Sequence, residues 1–172
     1  MGGSIAAKSG REKGTVFRVE LAFDRMEEKE KTEAESEALA GKRLLLAEDD
    51  RLCGEILCEL LEDETGRPVS ITANGRAALE MFESANGEYD AIIMDVQMPV
   101  MNGYEAARAI RRSGCGNAKT VPIIALTADA SEESARAAAD SGMNGCLTKP
   151  VNIDRLRKAV AAALKSLSVA YR

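Results

Sequence analysis

Histidine is absent from all 172 residues. That absence excludes imidazole acid–base catalysis, histidine metal ligation and a phosphohistidine formed on this polypeptide. Whatever chemistry occurs must use carboxylates, hydroxyls and amines. A cationic surplus is missing too: the formal net charge is −5, with a pI near 5.0. Nucleic-acid binding is therefore not expected, because displacing counterions from phosphates needs a basic face. No run is long and apolar enough to span a bilayer, so no membrane contact by this segment is expected, and no secretory leader opens the chain. The four cysteines (Cys53, Cys58, Cys115 and Cys146) lack metal-like spacing. They read as reduced thiols of a cytoplasmic protein.

What the chain does contain falls into regions of different composition. Residues 1–24 hold two short strand patterns, Ser4–Ala7 and Thr15–Phe23, separated by Ser9-Gly10 and Gly14. The second alternates, with Phe17, Val19, Leu21 and Phe23 on one face and Arg18 and Glu20 on the other. A lone hairpin is marginal in water, so this piece reads as the edge of a larger sheet. Residues 25–41 are dominated by charge and offer no apolar stripe, which predicts a solvated linker. From Lys42 to about Leu167 apolar runs alternate with helical patterns, leaving 168–172 as a tail. Strands are expected near 43–48, 68–73, 91–95, 121–126 and 145–148. Helices are expected to begin near Asp50, Asn74, Gly103, Ser131 and Asn152, and Asp50, Asn74, Ser131 and Asn152 can each cap an orphan amide. Five strand–helix units predict an α/β fold: a (βα)5 doubly wound, parallel five-stranded sheet.

The strand ends carry the chemistry. Leu44–Ala47 runs into Glu48-Asp49-Asp50; Ala91–Met94 runs into Asp95; Val121–Leu126 runs into Thr127; and Gly145–Thr148 runs into Lys149-Pro150. Open parallel sheets bind ligands at these carboxyl ends. Asp50 reads simply as a helix cap. Glu48, Asp49 and Asp95 would repel one another when ionised, and Mg²⁺, which prefers hard oxygen ligands, would relieve the strain. Lys149 adds a compact cation from the opposite side. Asp95 is then poised to attack phosphorus and form an acyl phosphate, with Thr127 donating a hydrogen bond and small Ala128 leaving room.

These residues reach a family. Leu44–Asp50, Met94–Gly103, Ala125–Ala130 and Gly142–Pro150 resemble the first-strand, phosphoacceptor, threonine-loop and lysine-loop segments of two-component response regulator receiver domains. The type is the one attached to hybrid histidine kinases. The resemblance covers residues 42–167 and implies the flavodoxin-like, CheY-like receiver fold. It further implies that Asp95 accepts the phosphoryl group and that Asp49, Asp95 and the backbone carbonyl of Gln97 ligate Mg²⁺. Glu48 would act mainly through water, Thr127 and Lys149 would contact the phosphoryl group, and Lys149–Pro150 would be cis. Cys146 departs from the pattern, since the family usually carries Tyr or Phe there, so the aromatic half of its switch is absent.

The N-terminal piece resembles the last hairpin of a histidine kinase ATP-binding domain. Kinase end, linker and receiver in that order are the layout of a hybrid sensor kinase. The ATP-holding motifs are missing, so this polypeptide is not expected to be a kinase itself. Implied partners are a phosphohistidine domain of the parent or cognate kinase and a histidine phosphotransfer protein. The first helix, with Leu52, Cys53, Ile56, Leu57, Leu60 and Leu61, is a candidate docking face. Three other readings compete. An aspartyl-phosphate hydrolase wants a second aspartate where Gln97 stands. A flavin module would meet repulsion from Glu48-Asp49-Asp50, and a scaffold would leave the acceptor residues unused. The expected setting is cytoplasmic, with a parent kinase that could be membrane-anchored.

Overall fold

The computed structural model describes residues 3–10, 14–21 and 39–170. Most of the expected linker, and Phe23, lie outside the described residues. Two compact units divide the chain between residues 30 and 31.

The first unit is a hairpin. β1 (Gly3–Gly10) pairs antiparallel with β2 (Gly14–Leu21), in a register that sets Ile5 opposite Val19 and Ala7 opposite Phe17. Directly opposed residues share a face, and alternate residues join it. Ile5, Ala7, Phe17 and Val19 thus form one apolar face, and Ile5, Phe17 and Val19 are well exposed. The alternation expected of the second strand holds at Phe17 and Val19.

The second unit contains β3 (Leu44–Ala47), α1 (Arg51–Thr65), β4 (Ser70–Thr72), α2 (Gly75–Ser84), β5 (Ala91–Asp95) and α3 (Gly103–Arg112). It continues through β6 (Ile123–Thr127), α4 (Glu132–Asp140), β7 (Gly145–Thr148) and α5 (Ile153–Ala170). The strands form one parallel sheet in the order β4-β3-β5-β6-β7. This is the flavodoxin-like receiver fold predicted above. Strand order reverses between β3 and β5, which opens a crevice at their carboxyl ends.

Both faces of the sheet are covered, so β3, β5 and β6 are continuously apolar rather than alternating. Leu44, Leu46, Ile93, Ile124 and Leu126 pack with Leu57 and Leu61 of α1 and Leu156 and Val160 of α5. Leu45, Ile92, Met94, Ile123 and Ala125 pack with Ala78 and Phe82 of α2, Ile110 of α3 and Ala138 of α4. Leu39, in the segment expected as linker, is fully buried in the first of these clusters. Asp50, Asn74 and Ser131 cap their helices as expected, each accepting a bond from an orphan amide. The helix at Gly103 is capped by Asn102, which was not foreseen and forms a capping box with Glu105. Asn152 accepts from the Arg155 amide at 3.0 Å. The stripe on α1 divides: Leu57 and Leu61 enter the core, whereas Leu52, Ile56 and Leu60 stay exposed.

Candidate functional site

The crevice gathers side chains from four strand ends. Glu48, Asp49 and Asp95 each offer a carboxylate oxygen, and these oxygens all lie within 4.8 Å of one another. Glu48 and Asp95 are buried, at 3% and 4% exposure, whereas Asp49 faces solvent. Such a trio of hard oxygen donors, one of them open to water, fits a cation like Mg²⁺ that keeps part of its hydration shell.

Lys149 closes the other side. Its Nζ donates to Glu48 Oε1 and Oε2 at 2.8 and 2.7 Å and to Asp95 Oδ2 at 2.7 Å. It arrives on the loop after β7, whose Lys149–Pro150 bond is cis, as expected. The Lys149 amide also donates to Thr127 O at 2.7 Å, which ties this loop to the end of β6. Asp95 Oδ1 accepts from the Gln97 amide at 3.0 Å, so both carboxylate oxygens of Asp95 are oriented by the chain. Thr127 is buried one residue past Leu126, the register partner of Asp95. Its Oγ1 accepts from the Asp129 amide at 3.1 Å, and its hydroxyl hydrogen remains available for donation.

The charges are unbalanced: one ammonium serves three carboxylates. Burial pushes the Glu48 carboxyl above its ordinary value, and Asp95 pushes it further, while the bond from Lys149 opposes both. Burial alone would lower the Lys149 ammonium; its bonds to Asp95 and Glu48 outweigh that, and the net shift is upward. A site of this kind favours additional positive charge near Asp49.

Two features were not visible in the motif. Gly103 starts α3 directly beneath Asp95: a Cβ there would lie 2.3 Å from Asp95 O. Only glycine permits that approach. Tyr104, the next residue, is half-buried and packs on the same core cluster as Cys146. Its hydroxyl donates to Ser134 O of α4 at 3.3 Å. A ring from α3 therefore lies in the neighbourhood where the family pattern puts one on β7. Sequence gave no sign of it, because nothing local links Tyr104 to α4.

Comparison with known proteins agrees with this geometry. Residues 44–161 match the response regulator receiver domain family, to which this chain belongs. The chain is 36% identical over 153 residues to "Probable histidine kinase 2" of Oryza sativa subsp. indica. That match covers 82% of the chain but only 14% of the rice protein's length. Among solved structures, the receiver domain of sensor histidine kinase PA1611 from Pseudomonas aeruginosa is 35% identical, with a TM-score of 0.63. It covers 73% of this chain and 99% of that one, and was crystallised with magnesium coordinated in its active-site cleft. A co-crystal of the Saccharomyces cerevisiae histidine phosphotransfer signalling protein Ypd1 with the receiver domain of Ssk1 also matches, at 32% identity and a TM-score of 0.63. The match covers 71% of this chain and 88% of that one. Residues 44–161 are thus a receiver domain homologous to those of hybrid histidine kinases and phosphorelay proteins.

Proposed function

We propose that Asp95 accepts a phosphoryl group from a phosphohistidine on another domain or protein, with Mg²⁺ bound by the carboxylates of Asp49 and Asp95 and the Gln97 carbonyl. The observation that carries this reading is the 2.7 Å contact from Lys149 Nζ to Asp95 Oδ2 inside a cluster of three carboxylates. Mg²⁺, when bound, supplies charge neutralisation for the phosphoryl oxygens. Everything else is done by the chain. The Gln97 amide and the Lys149 ammonium fix the Asp95 carboxylate in place to act as the nucleophile. Lys149 exchanges part of its contact with Glu48 for the incoming phosphoryl oxygen, and the Thr127 hydroxyl donates to a second. Glu48 keeps negative charge behind the lysine and acts on the metal through water. Exposed Gln97, with no acid in its side chain, offers no general acid for hydrolysis, which favours a longer-lived acyl phosphate over rapid turnover.

The partner reading follows from exposure. An imidazole can reach buried Asp95 only if its carrier lies against the rim of the crevice. There α1 begins, and it presents exposed Leu52, Ile56 and Leu60. A histidine phosphotransfer protein on this apolar face fits the surface, and the Ypd1–Ssk1 co-crystal is a parallel for it. The similarity to the rice histidine kinase supports a parent hybrid kinase; on this reading the hairpin is the end of its ATP-binding domain. A cytoplasmic setting accords with this reading.

The test is incubation with acetyl phosphate and Mg²⁺ followed by intact mass. One added phosphoryl group, labile to base and absent in Asp95→Asn, is expected. An unmodified wild-type mass would leave the scaffold reading standing instead. For the docking face, Leu52→Arg is expected to slow transfer to a phosphotransfer partner while leaving acetyl phosphate labelling intact; equal transfer rates would remove α1 from the interface.

A further inference from the structure

Among the described residues, a positive φ falls on six glycines, on Asn86 and on Val100. Glycine and asparagine tolerate that backbone, whereas a β-branched side chain crowds the neighbouring carbonyl. Val100 stands at φ +69° in the loop between β5 and α3. The Met101 amide donates to Pro99 O at 2.7 Å, which closes a three-residue turn with Val100 at its centre. A bond of that span around a positive φ makes the rare, strained kind of γ-turn.

Val100 is anomalous in a second way. It is 83% exposed, more than any other large apolar residue among the described ones. Its loop already has inward anchors, since Met98 is buried and Met101 packs against the core. The surroundings hold the strain in place. At the base of the loop the Gly103 amide donates to Val96 O at 2.9 Å. Further along, the Gly75 amide at the start of α2 donates to Met101 O at 3.1 Å, and a Cβ on Gly75 would lie 2.6 Å from that oxygen. Two helix starts therefore brace the turn, and it cannot relax without loosening the loop that begins at Asp95. Such strain persists only where the surrounding structure over-determines it, and glycine at the same position would remove it. A side chain that costs the fold stability and covers no core has its use outside the chain.

We propose that Val100 is a docking contact, whose exposed isopropyl group enters an apolar hollow on the histidine phosphotransfer protein that exchanges the phosphoryl group with Asp95. This rests on the acceptor reading above and deepens it by naming a specificity-determining residue. Asp95 is buried, so the carrier of the phosphohistidine must lie over the mouth of the crevice to reach it. The α1 face follows β3 and the Val100 turn follows β5, and these strands are neighbours in the sheet. A carrier spanning the crevice thus meets Leu52 and Ile56 on one side and Val100 on the other. Because its turn is locked, Val100 loses little conformational freedom on contact.

Phosphorylated Ypd1 of Saccharomyces cerevisiae is the probe donor, with intact mass reading the phosphoryl group on the full chain. Acetyl phosphate with Mg²⁺ is the partner-free control. Val100→Thr keeps the shape and the β-branching but puts a hydroxyl into the contact. It is expected to slow transfer from Ypd1 about fivefold or more, with acetyl phosphate labelling and the urea midpoint near wild type. Val100→Gly removes side chain and strain together. Its transfer should slow as much, while its urea midpoint rises by about 0.3 M or more. A merely structural residue would not move stability and transfer in opposite directions. Wild-type transfer rates in either variant overturn the proposal, as does a glycine variant no more stable than wild type. So does a wild type that is labelled by acetyl phosphate but not by Ypd1. A wild type that acetyl phosphate leaves unlabelled overturns the acceptor reading itself, which tells the two failures apart.

Discussion

Helices α3 and α4 pack on the same side of the sheet and differ in how they are held. α3 buries Gly103, Ala106, Ala107 and Ile110, starts with a capping box and ends in Arg111 and Arg112, which suit its dipole. α4 buries Ala138 alone and is attached by hydrogen bonds at its two ends. Apolar burial cannot be traded gradually, since a displaced core side chain loses contacts that nothing replaces. Polar bonds at an exposed turn can be exchanged for water. α3 is therefore held by core burial, whereas α4 depends on polar bonds at its ends.

Substitutions can break or sharpen that contrast. The largest effect is expected in α3: Ile110→Ala should lower unfolding free energy by about 2–5 kcal/mol in urea titration, as a cavity forms under the sheet. By contrast, exposed Ala135→Gly in α4 should cost only about 1 kcal/mol, its helix propensity alone. Comparable losses would mean that α4 is as firmly built in as α3.

The guanidinium at the end of α4 comes next. Arg111→Ala orphans the Gly142 and Ala118 carbonyls and should cost about 1–3 kcal/mol. It should also raise hydrogen exchange at 141–143, making the two ends of α4 alike. Protection unchanged at that end would show that Ala138 packing, not the guanidinium, fixes it.

The smallest effect is one of pH. Bonds from Ser131 and Ser134 hold the Asp129 carboxyl below its ordinary value of 3.8. A depressed acid contributes stability above its unfolded value and loses it as pH falls through the lower folded one. Wild-type stability should therefore fall slightly more steeply below pH 3.8 than that of Asp129→Ala, and the two curves should run parallel above it. Because the group is exposed, a small difference in urea midpoint is the measurable quantity. Parallel curves throughout would mean that the serine bonds are too weak to matter.

Much of this was legible in the chain because the governing rules are local. Apolar runs of five residues flanked by caps such as Asp50, Asn74 and Ser131 define strand–helix units without knowledge of any neighbour. Alternating units then impose a parallel sheet, and a parallel sheet imposes a crevice at its carboxyl ends. Glu48, Asp49, Asp95, Thr127 and Lys149 all stand at such ends, so their convergence followed from order alone. The α1 stripe was legible only as a whole. Which of its leucines turn inward depends on the rotation of the helix against β3 and β4, and that rotation is set by packing.

Composition and periodicity by themselves determined the fold class, the strand ends that carry chemistry and the exclusion of any histidine on this chain, because each depends on residues close together in sequence. The tertiary structure alone decided which contacts form across long separations. Lys149 grips Glu48 from 101 positions away, Gly103 slides under Asp95, and Tyr104 and Asp129 meet at Ser134. Those pairings depend on how whole helices settle against the sheet, and a linear pattern carries no measure of that distance.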